Sequence, residues 1–392
     1  MKPILLTGFR PTGDFHLGHY LSLIEPLIKH KNDYRIFLMV ADLHAQTGLR
    51  QPKVNYQSFS DDLECNILFA LQIITDFLDP KDFVVFRQSD LREYHLDLFY
   101  KLLMVSRHNL TFGNPVFIDA MRTEIHNGID LLKLEPVIKS GLKQFIQNHP
   151  EVLWGNISDQ MEQELYMFLA VNHKWIKKEA VTKIVKHLNT RIGVMGFATY
   201  PILMAADIIL YQPEYTLVGR DQSPHIQIAN DLVKILNKTF DFKVKPTKPM
   251  IDLAQTLKGN DGCKMSKSLG NYIPLKHLLR KDNLGFDWFL KMKSYPRRIN
   301  EAGKADECLV AQYWNQFDCY LNNPMNISEI CAKGVLSCFL CKDQLFKTIK
   351  IIIQKNMREN RIFEDTDQML KDGAEVARQR ILEGELIKKH FI

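Results

Sequence analysis

Along the first ninety residues, short unbroken apolar runs are separated by longer stretches with helical spacing. Ile4-Leu-Leu, Arg35 to Ala41 and Asp82 to Phe86 read as strands. Between them, Gly18 to Ile28 reads as one helix and Val54 to Phe77 as another. The second carries Phe59, Leu63, Ile67, Leu71 and Ile74 on one face. Continuously apolar strands that alternate with helices predict a parallel sheet covered on both sides. The pattern resumes with Thr199 to Asp207, a loop entering a helix, and then with Tyr215 to Gly219, a strand. Pro224 to Leu236 follows as a helix with proline in its first turn. From about Asn283 onward only helical periodicity is left. The spacing thus predicts an α/β domain over residues 1–282 and an all-helical region over 283–392. Phe117 to Arg191, long and mostly helical, reads as an insertion in the first domain.

Composition changes this picture little. At 392 residues, 46% hydrophobic and 24% charged, the chain has enough apolar surface to bury the cores of two domains. No apolar run approaches the roughly 20 residues of a membrane span, and the start is interrupted too early for a secretory segment. A cytoplasmic protein with no membrane partner is expected. A net charge of +6 allows a polyanionic partner without requiring one. Locally, Lys342, Lys347, Lys350, Lys355, Arg358 and Arg361 face only Asp343 and Glu359. Such a helix reads either as a phosphate-facing surface or as a solvated one.

The chemistry concentrates in three places. Pro11-Thr-Gly-Asp-Phe-His-Leu-Gly-His19 lies where the first strand turns into the first helix. Ligands in open α/β sheets bind outside the carboxyl ends of the strands, and a helix start offers N–H groups to anions. His16 and His19, three apart, can face the same phosphate, while Gly13 and Gly18 permit close approach. Far along the chain, Lys264-Met-Ser-Lys-Ser268 places two ammonium groups and two hydroxyls on a glycine-flanked loop. Two such lysines can stabilise charge developing on a transferring phosphorus. Neither a GxxxxGK[ST] loop nor GxGxxG occurs, which removes the usual NTPase and dinucleotide readings.

The third place is a cysteine cluster. Five of the seven cysteines (Cys308, Cys319, Cys331, Cys338 and Cys341) fall within 34 residues. In a chain without an export signal this argues against a disulfide framework. Cys308, Cys331, Cys338 and Cys341, the last two as CxxC, offer four thiolates. These suit zinc or a [4Fe–4S] cluster equally.

With His16-Leu-Gly-His19 and Lys264-Met-Ser-Lys-Ser268 in this order, the chain resembles the class I aminoacyl-tRNA synthetases. Further matches in Gly8 to Tyr20, Ala41-Asp-Leu-His-Ala45, Tyr200-Pro-Ile-Leu-Met-Ala-Ala-Asp207 and Gly219-Arg-Asp-Gln222 make it similar to the bacterial-type tryptophanyl branch. The resemblance implies a Rossmann-like catalytic domain, a helical anticodon-binding region and a homodimer. It also implies activation of tryptophan by ATP with Mg²⁺ and transfer to tRNA(Trp), with no role for DNA. His16, His19, Lys264 and Lys267 are the implied catalytic groups. Arg10, Pro11, Thr12, Gly18, His19, Gly219, Arg220, Asp221, Met265, Ser266 and Ser268 join the lysines around ATP.

Tryptophan is then expected among His44, Tyr200, Met204, Asp207, Val218 and Gln222, with the Met204 thioether on the ring and Asp207 accepting the indole N–H. Tyrosyl enzymes of the same fold usually carry Gln at the Met204 position and Tyr near Leu6, and this chain has neither. A subset of the tryptophanyl branch shares the four-cysteine spacing and holds a [4Fe–4S] cluster, with zinc as the alternative occupant here. Arg10, Ser22 and Arg220 depart from the usual Gln, Gly and acid. Phe117–Arg191 exceeds the shorter members and reads as a surface elaboration. Two alternatives of other classes are a nucleotidylyltransferase sharing the HxGH motif, which would not need the Met204/Asp207 pair or a basic helical tail, and a catalytically silent RNA-binding paralogue, which would be free to lose the histidines and lysines kept here.

Overall fold

The computed structural model describes residues 2–47, 56–107, 110, 118, 121–122, 129, 134–149, 157–172, 176–189, 195–251, 257–263, 265, 267, 270–280, 282–295, 297–298, 301–321, 323–359, 365–388 and 391–392. Five parallel strands, β1 (Ile4–Phe9), β2 (Arg35–Val40), β3 (Phe83–Arg87), β4 (Tyr215–Val218) and β5 (Lys248–Ile251), form one sheet in the order β3-β2-β1-β4-β5. The order reverses between β1 and β4, the topological switch point at which such sheets bind ligands. β1 pairs with β2 as far as Phe9↔Val40, but with β4 only at Leu5↔Tyr215 and Leu6↔Thr216. The strands part above that point and open a crevice, with Thr7 Oγ1 donating to the Leu217 carbonyl at its floor.

Alternation along the strands builds two cores. Leu5, Ile36, Leu38, Val40 and Val85 face one side, and Ile4, Leu6, Phe37, Met39 and Phe86 the other. The second side packs on α5 (Arg92–Val105), α9 (Met195–Tyr211) and α10 (Ser223–Phe240). The first side takes the helix that follows β1, α4 (Tyr56–Thr75) and the helices beyond residue 285. The helix after β1 runs as α1 (Leu17–His19), a π-helical turn (Tyr20–Ile24) and α2 (Glu25–His30). A short helix α3 (Asp42–Gln46) follows β2.

Within the insertion, α6 (Pro136–Asn148), α7 (Asp159–Asn172) and α8 (Lys178–Asn189) enclose a small core of their own around Leu142, Phe145, Leu165, Leu169, Val181 and Leu188. Trp154 and Trp175 lie outside the described residues. After β5 come α11 (Leu275–Leu279), α12 (Phe286–Leu290), α13 (Leu309–Phe317), α14 (Ile327–Ala332), α15 (Cys338–Lys355), α16 (Thr366–Leu382) and α17 (Glu385–Lys388). α16 returns to the edge strand β3, where Gly373 meets the Val85 backbone.

Three expectations change. Residues 199–207 form no entering loop, because α9 continues from Met195 straight through Pro201. β5 appears where no strand was expected. The basic stretch from Lys342 is not a continuous phosphate-facing surface. Lys342 is buried and donates to the Leu290 and Met292 carbonyls, and Lys350 is buried and donates to Asp282 O. Arg358 reaches Thr75 O, and Lys347 pairs with Asp343. These cations cap exposed carbonyl ends of neighbouring segments, an alternative to solvation that charge counting does not distinguish.

Candidate active site

The turn after β1 is built around its histidines. His16 caps α1: the Gly18 N–H donates to His16 Nδ1 at 3.1 Å, and the His16 N–H donates to His19 Nδ1 at 3.1 Å. With both Nδ1 atoms accepting, each neutral ring carries its proton on Nε2, free to donate outward. The rings lie 3.9 Å apart, and His19 stacks on Phe15 at 4.8 Å. Burial, together with the nearby Lys267 ammonium, lowers the His16 pKa to about 4. Burial, then His16 and Lys267, holds that of His19 well below its ordinary value. Both are therefore uncharged donors near neutrality. Gly18 is required here, since a Cβ would stand 2.9 Å from the His16 ring.

The second signature reaches the first. Lys267 Nζ donates to the carbonyls of Thr12 at 2.6 Å and Gly13 at 3.1 Å. Gly13 supplies the φ of +80° that turns this loop. Burial lowers the Lys267 pKa to about 8, with Arg10 pushing the same way and Asp14 opposing. Met265 is buried, its sulfur 3.8 Å from where a Cβ on Gly18 would stand. Backbone bonds staple the loops together: Leu17 N–H to Ile273 O at 3.2 Å and Leu275 N–H to Phe15 O at 2.7 Å. Lys276 pairs with Asp14 at 2.8 Å. Arg10 and Thr12 are exposed beside Pro11, which is buried. Lys264, Ser266, Ser268 and the side chain of Asp221 lie outside the described residues. Across the crevice, Gly219 starts the short turn Arg220–Gln222 at the end of β4, and the Gln222 N–H donates to the Gly219 carbonyl.

Beneath this crevice α9 carries Tyr200, half-buried Met204 and Asp207, which is 2% exposed. Three side chains hold Asp207. His44 Nε2, on α3, lies 2.8 Å from Oδ2, while Gln88 Nε2 and His95 Nδ1 both lie 2.7 Å from Oδ1. Burial alone would raise the Asp207 pKa, but the two histidines outweigh it and lower the value to about 2. Tyr200 stands edge-on to His44 at 6.5 Å, and its hydroxyl lies 3.0 Å from His225 Nε2. Val218 and Met204 pack at the rim of the second core. The residues expected around ATP lie at the turn after β1 and at the end of β4, and those expected around the amino acid lie on α9, α3 and the end of β4. Gln88 and His95 were not expected. The available signal was position: His95 occupies a buried stripe of α5 with Leu91, Leu98 and Leu102.

The four cysteines also come together. Cys308, Cys331, Cys338 and Cys341 line one cleft with Arg297, Val310, Ala311, Ile327 and Leu336. Cys319 is exposed and apart. Among the described residues, no group of three or more His, Cys, Asp or Glu is arranged to hold a single metal ion. The buried Nε of Arg297 lacks a hydrogen-bond partner. Burial raises the Cys341 thiol to about 11, against the opposing pull of the Trp314 N–H.

This sheet order, with two facing basic signatures at its switch point, defines a nucleotide-binding catalytic fold. The profile described as tRNA synthetases class I (W and Y) matches residues 1–111 and 117–347, and the chain belongs to this family. Its curated relatives include the tryptophan–tRNA ligase of Aquifex aeolicus, 29% identical over 373 residues, covering 91% of this chain and 90% of that one. The tryptophan–tRNA ligase of Thermotoga maritima is 26% identical over 385 residues, covering 96% and 94%. Among solved structures, the tryptophanyl-tRNA synthetase of Campylobacter jejuni, complexed with ADP and tryptophan, shares the fold. Its TM-score is 0.63 at 19% identity, over 97% of this chain and 96% of that one. The tyrosyl-tRNA synthetase of Archaeoglobus fulgidus, complexed with L-tyrosine, superimposes less closely, with a TM-score of 0.52 at 18% identity. It covers 97% of this chain and 90% of its own.

Proposed function

We propose that this chain is a tryptophan–tRNA ligase, which activates L-tryptophan with ATP and passes it to tRNA(Trp). The observation that carries the reading is the pairing on α9 of Met204 with a buried, ionised Asp207. A thioether suits the flat apolar ring, and an acceptor-only carboxylate suits its single N–H. Phenylalanine would leave that acceptor unpaired, a penalty that can reach roughly 10⁴–10⁵ in discrimination.

In the first step the tryptophan carboxylate attacks the α-phosphorus of ATP and pyrophosphate leaves. A carboxylate needs no general base, so catalysis is positioning and charge stabilisation. His16 and His19 donate Nε2–H to phosphate oxygens. Lys267, joined by Lys264, neutralises the charge on the departing pyrophosphate, to which Mg²⁺ arrives bound. Gly219 and Asp221 hold the adenosine, the carboxylate on ribose hydroxyls, with Arg10, Thr12 and Arg220 at the entrance. Gln222 holds the polar end of the amino acid. In the second step the terminal ribose hydroxyl of the tRNA attacks the adenylate carbonyl and AMP leaves. Residues 1–282 form the catalytic domain in this reading and 283–392 the anticodon-binding region. The chain acts in the cytoplasm as a homodimer, supported by the exposed stripe Leu96, Tyr100 and Met104 on α5. Among the described residues no helix is long and apolar enough to cross a membrane.

The four-cysteine cleft suits a sulfur-ligated cluster, with zinc as the alternative occupant. All four thiols line it, and the unpartnered Nε–H of Arg297 suits an acceptor sulfur. Cys308, Cys331, Cys338 and Cys341 would hold a [4Fe–4S] group, which when bound cross-links the start of α13, α14 and the start of α15.

Tryptophan-dependent ATP–pyrophosphate exchange tests the function. Exchange driven by tyrosine, or none, overturns it. Iron and sulfide analysis after anaerobic reconstitution tests the cleft. Tightly bound zinc instead, or no metal at all, refutes the cluster.

A further inference from the structure

His95 is fully buried on α5, faces Asp207 and is placed to touch no substrate. Its two ring nitrogens are both used: Nδ1 lies 2.7 Å from Asp207 Oδ1, and Nε2 lies 2.8 Å from the Tyr211 hydroxyl. An ionised carboxylate only accepts, so Nδ1 carries the proton. The Tyr211 phenol, held neutral chiefly by burial, donates to Nε2. The same Oδ1 takes the amide N–H of Gln88 at 2.7 Å. Both of its lone pairs are thus filled, whereas Oδ2 takes only His44 Nε2 at 2.8 Å and keeps one lone pair.

We infer that His95 is a positioning residue for substrate choice: through the chain Tyr211–His95–Asp207 it saturates Oδ1 and leaves Oδ2 as the single acceptor for a ring N–H. The inference rests on the reading of Asp207 as the indole acceptor. It assigns the selectivity to a residue one shell behind the pocket. Without His95, Oδ1 keeps only the Gln88 amide and regains an open lone pair, so Oδ2 is no longer the single acceptor and the requirement for an N–H placed at it weakens.

The test compares kcat/KM in pyrophosphate exchange for L-tryptophan and its benzothiophene isostere, which has the same ring shape but sulfur in place of N–H. In the parent enzyme tryptophan is preferred by about 100-fold or more, as expected for a site built to bond an N–H. His95→Phe lowers that ratio at least about tenfold, whereas His95→Asn, which keeps a donor near the Nδ1 position, stays within about threefold of the parent. A structural role alone would lower both substrates together. An unchanged ratio in His95→Phe therefore overturns the inference. Asp207→Ala separates the two readings: if it leaves the ratio intact, Asp207 is not the acceptor. If it collapses the ratio while His95→Phe does not, only the assignment of His95 fails. Should His95→Phe not fold, Tyr211→Phe removes the hydrogen bond that holds the far side of the His95 ring. It is expected to lower the ratio, and an unchanged ratio there also overturns the inference.

Discussion

Gly373 offers the most direct test of how the last long helix is held. Alanine in place of an exposed glycine inside a helix stabilises by about 1 kcal/mol. At Gly373 the opposite is expected. A Cβ there would stand 1.7 Å from the Val85 carbonyl oxygen and 2.6 Å from its carbon. These are backbone atoms of β3, which is paired with β2 and has little freedom to move. The helix must retreat by roughly 1.5 Å to restore ordinary contact, and a gap of even 0.5–1 Å forfeits a quarter to a half of the dispersion energy across it. α16 presents Leu370, Ala374, Ala377 and Ile381 to the core, each under 9% exposed. Fully burying a leucine or isoleucine is worth about 1.5–3 kcal/mol, and overpacking costs about 1–3 kcal/mol.

Set against the propensity gain, Gly373→Ala should be destabilised by about 2 kcal/mol net. Urea unfolding, followed by far-ultraviolet circular dichroism and by intrinsic fluorescence, measures it. Exposed Lys371→Ala on the same helix serves as the control and should lie within about 0.5 kcal/mol of the parent. If Gly373→Ala were as stable as the parent, or gained about 1 kcal/mol, the close packing of α16 on β3 would be wrong.

Three other expectations follow from the site. Lys267 loses its charge as pH rises through its lowered pKa of about 8, so kcat/KM for ATP should fall above that pH. Lys267→Arg, always charged, should remove the decline in a pyrophosphate-exchange pH profile, and a decline that persists would assign it to another group. Gly18→Ala places a methyl 2.9 Å from the His16 ring and should lower kcat about 10–100-fold with little change in urea midpoint; unchanged turnover would refute the requirement for glycine. Asn356→Ala strands the buried Tyr20 hydroxyl, which now accepts its amide N–H at 2.7 Å, and should cost about 1–3 kcal/mol. Adding Tyr20→Phe should recover part of that cost, and strict additivity in the double-mutant cycle would show that the two groups are uncoupled.

What could be read from the chain follows from how local each feature is. β1, β2 and β3 were legible because strands buried on both faces leave unbroken apolar runs; β2 and β3 lie within a residue of their expected places, while β1 runs three residues beyond Leu6. β5 was not legible. It is a short edge strand, Lys248–Ile251, whose residues are mostly exposed, so neither a run nor an alternation marks it. Thr199 to Asp207 read as a loop entering a helix, yet α9 is helical throughout: it buries most of its length against α5 and α10 and tolerates the N–H missing at Pro201. In the site, His16, His19 and Lys267 were legible as types at fixed spacing. Their tautomers and mutual contact were not, since these depend on caps and on a bond spanning more than 250 residues. Gln88 and His95 illustrate the same limit: they serve Asp207 from more than 110 positions away.

One helix joins the two ends of this molecule. α15 runs 18 residues, about 27 Å, from Cys338 and Cys341 in its first turn to Asn356 at its C-cap. Asn356 donates to Tyr20, the residue after His19. Just beyond, the Arg358 N–H donates to the Asp76 carbonyl and its guanidinium reaches Thr75 O, at the end of α4. Along its length Lys342 and Lys350 bind backbone carbonyls of the segment that follows the second signature. The π-helical turn beginning at Tyr20 lies where this strut meets the nucleotide helix, and such turns insert a residue at a cost that surrounding contacts must offset. Burial of Tyr20, Leu21, Leu23 and Ile24 against α4 and α15 supplies that offset. The orientation of His16 and His19 therefore depends on packing contributed by a helix that begins at the cysteine cleft, and the two parts of the chain form one mechanical unit at this point.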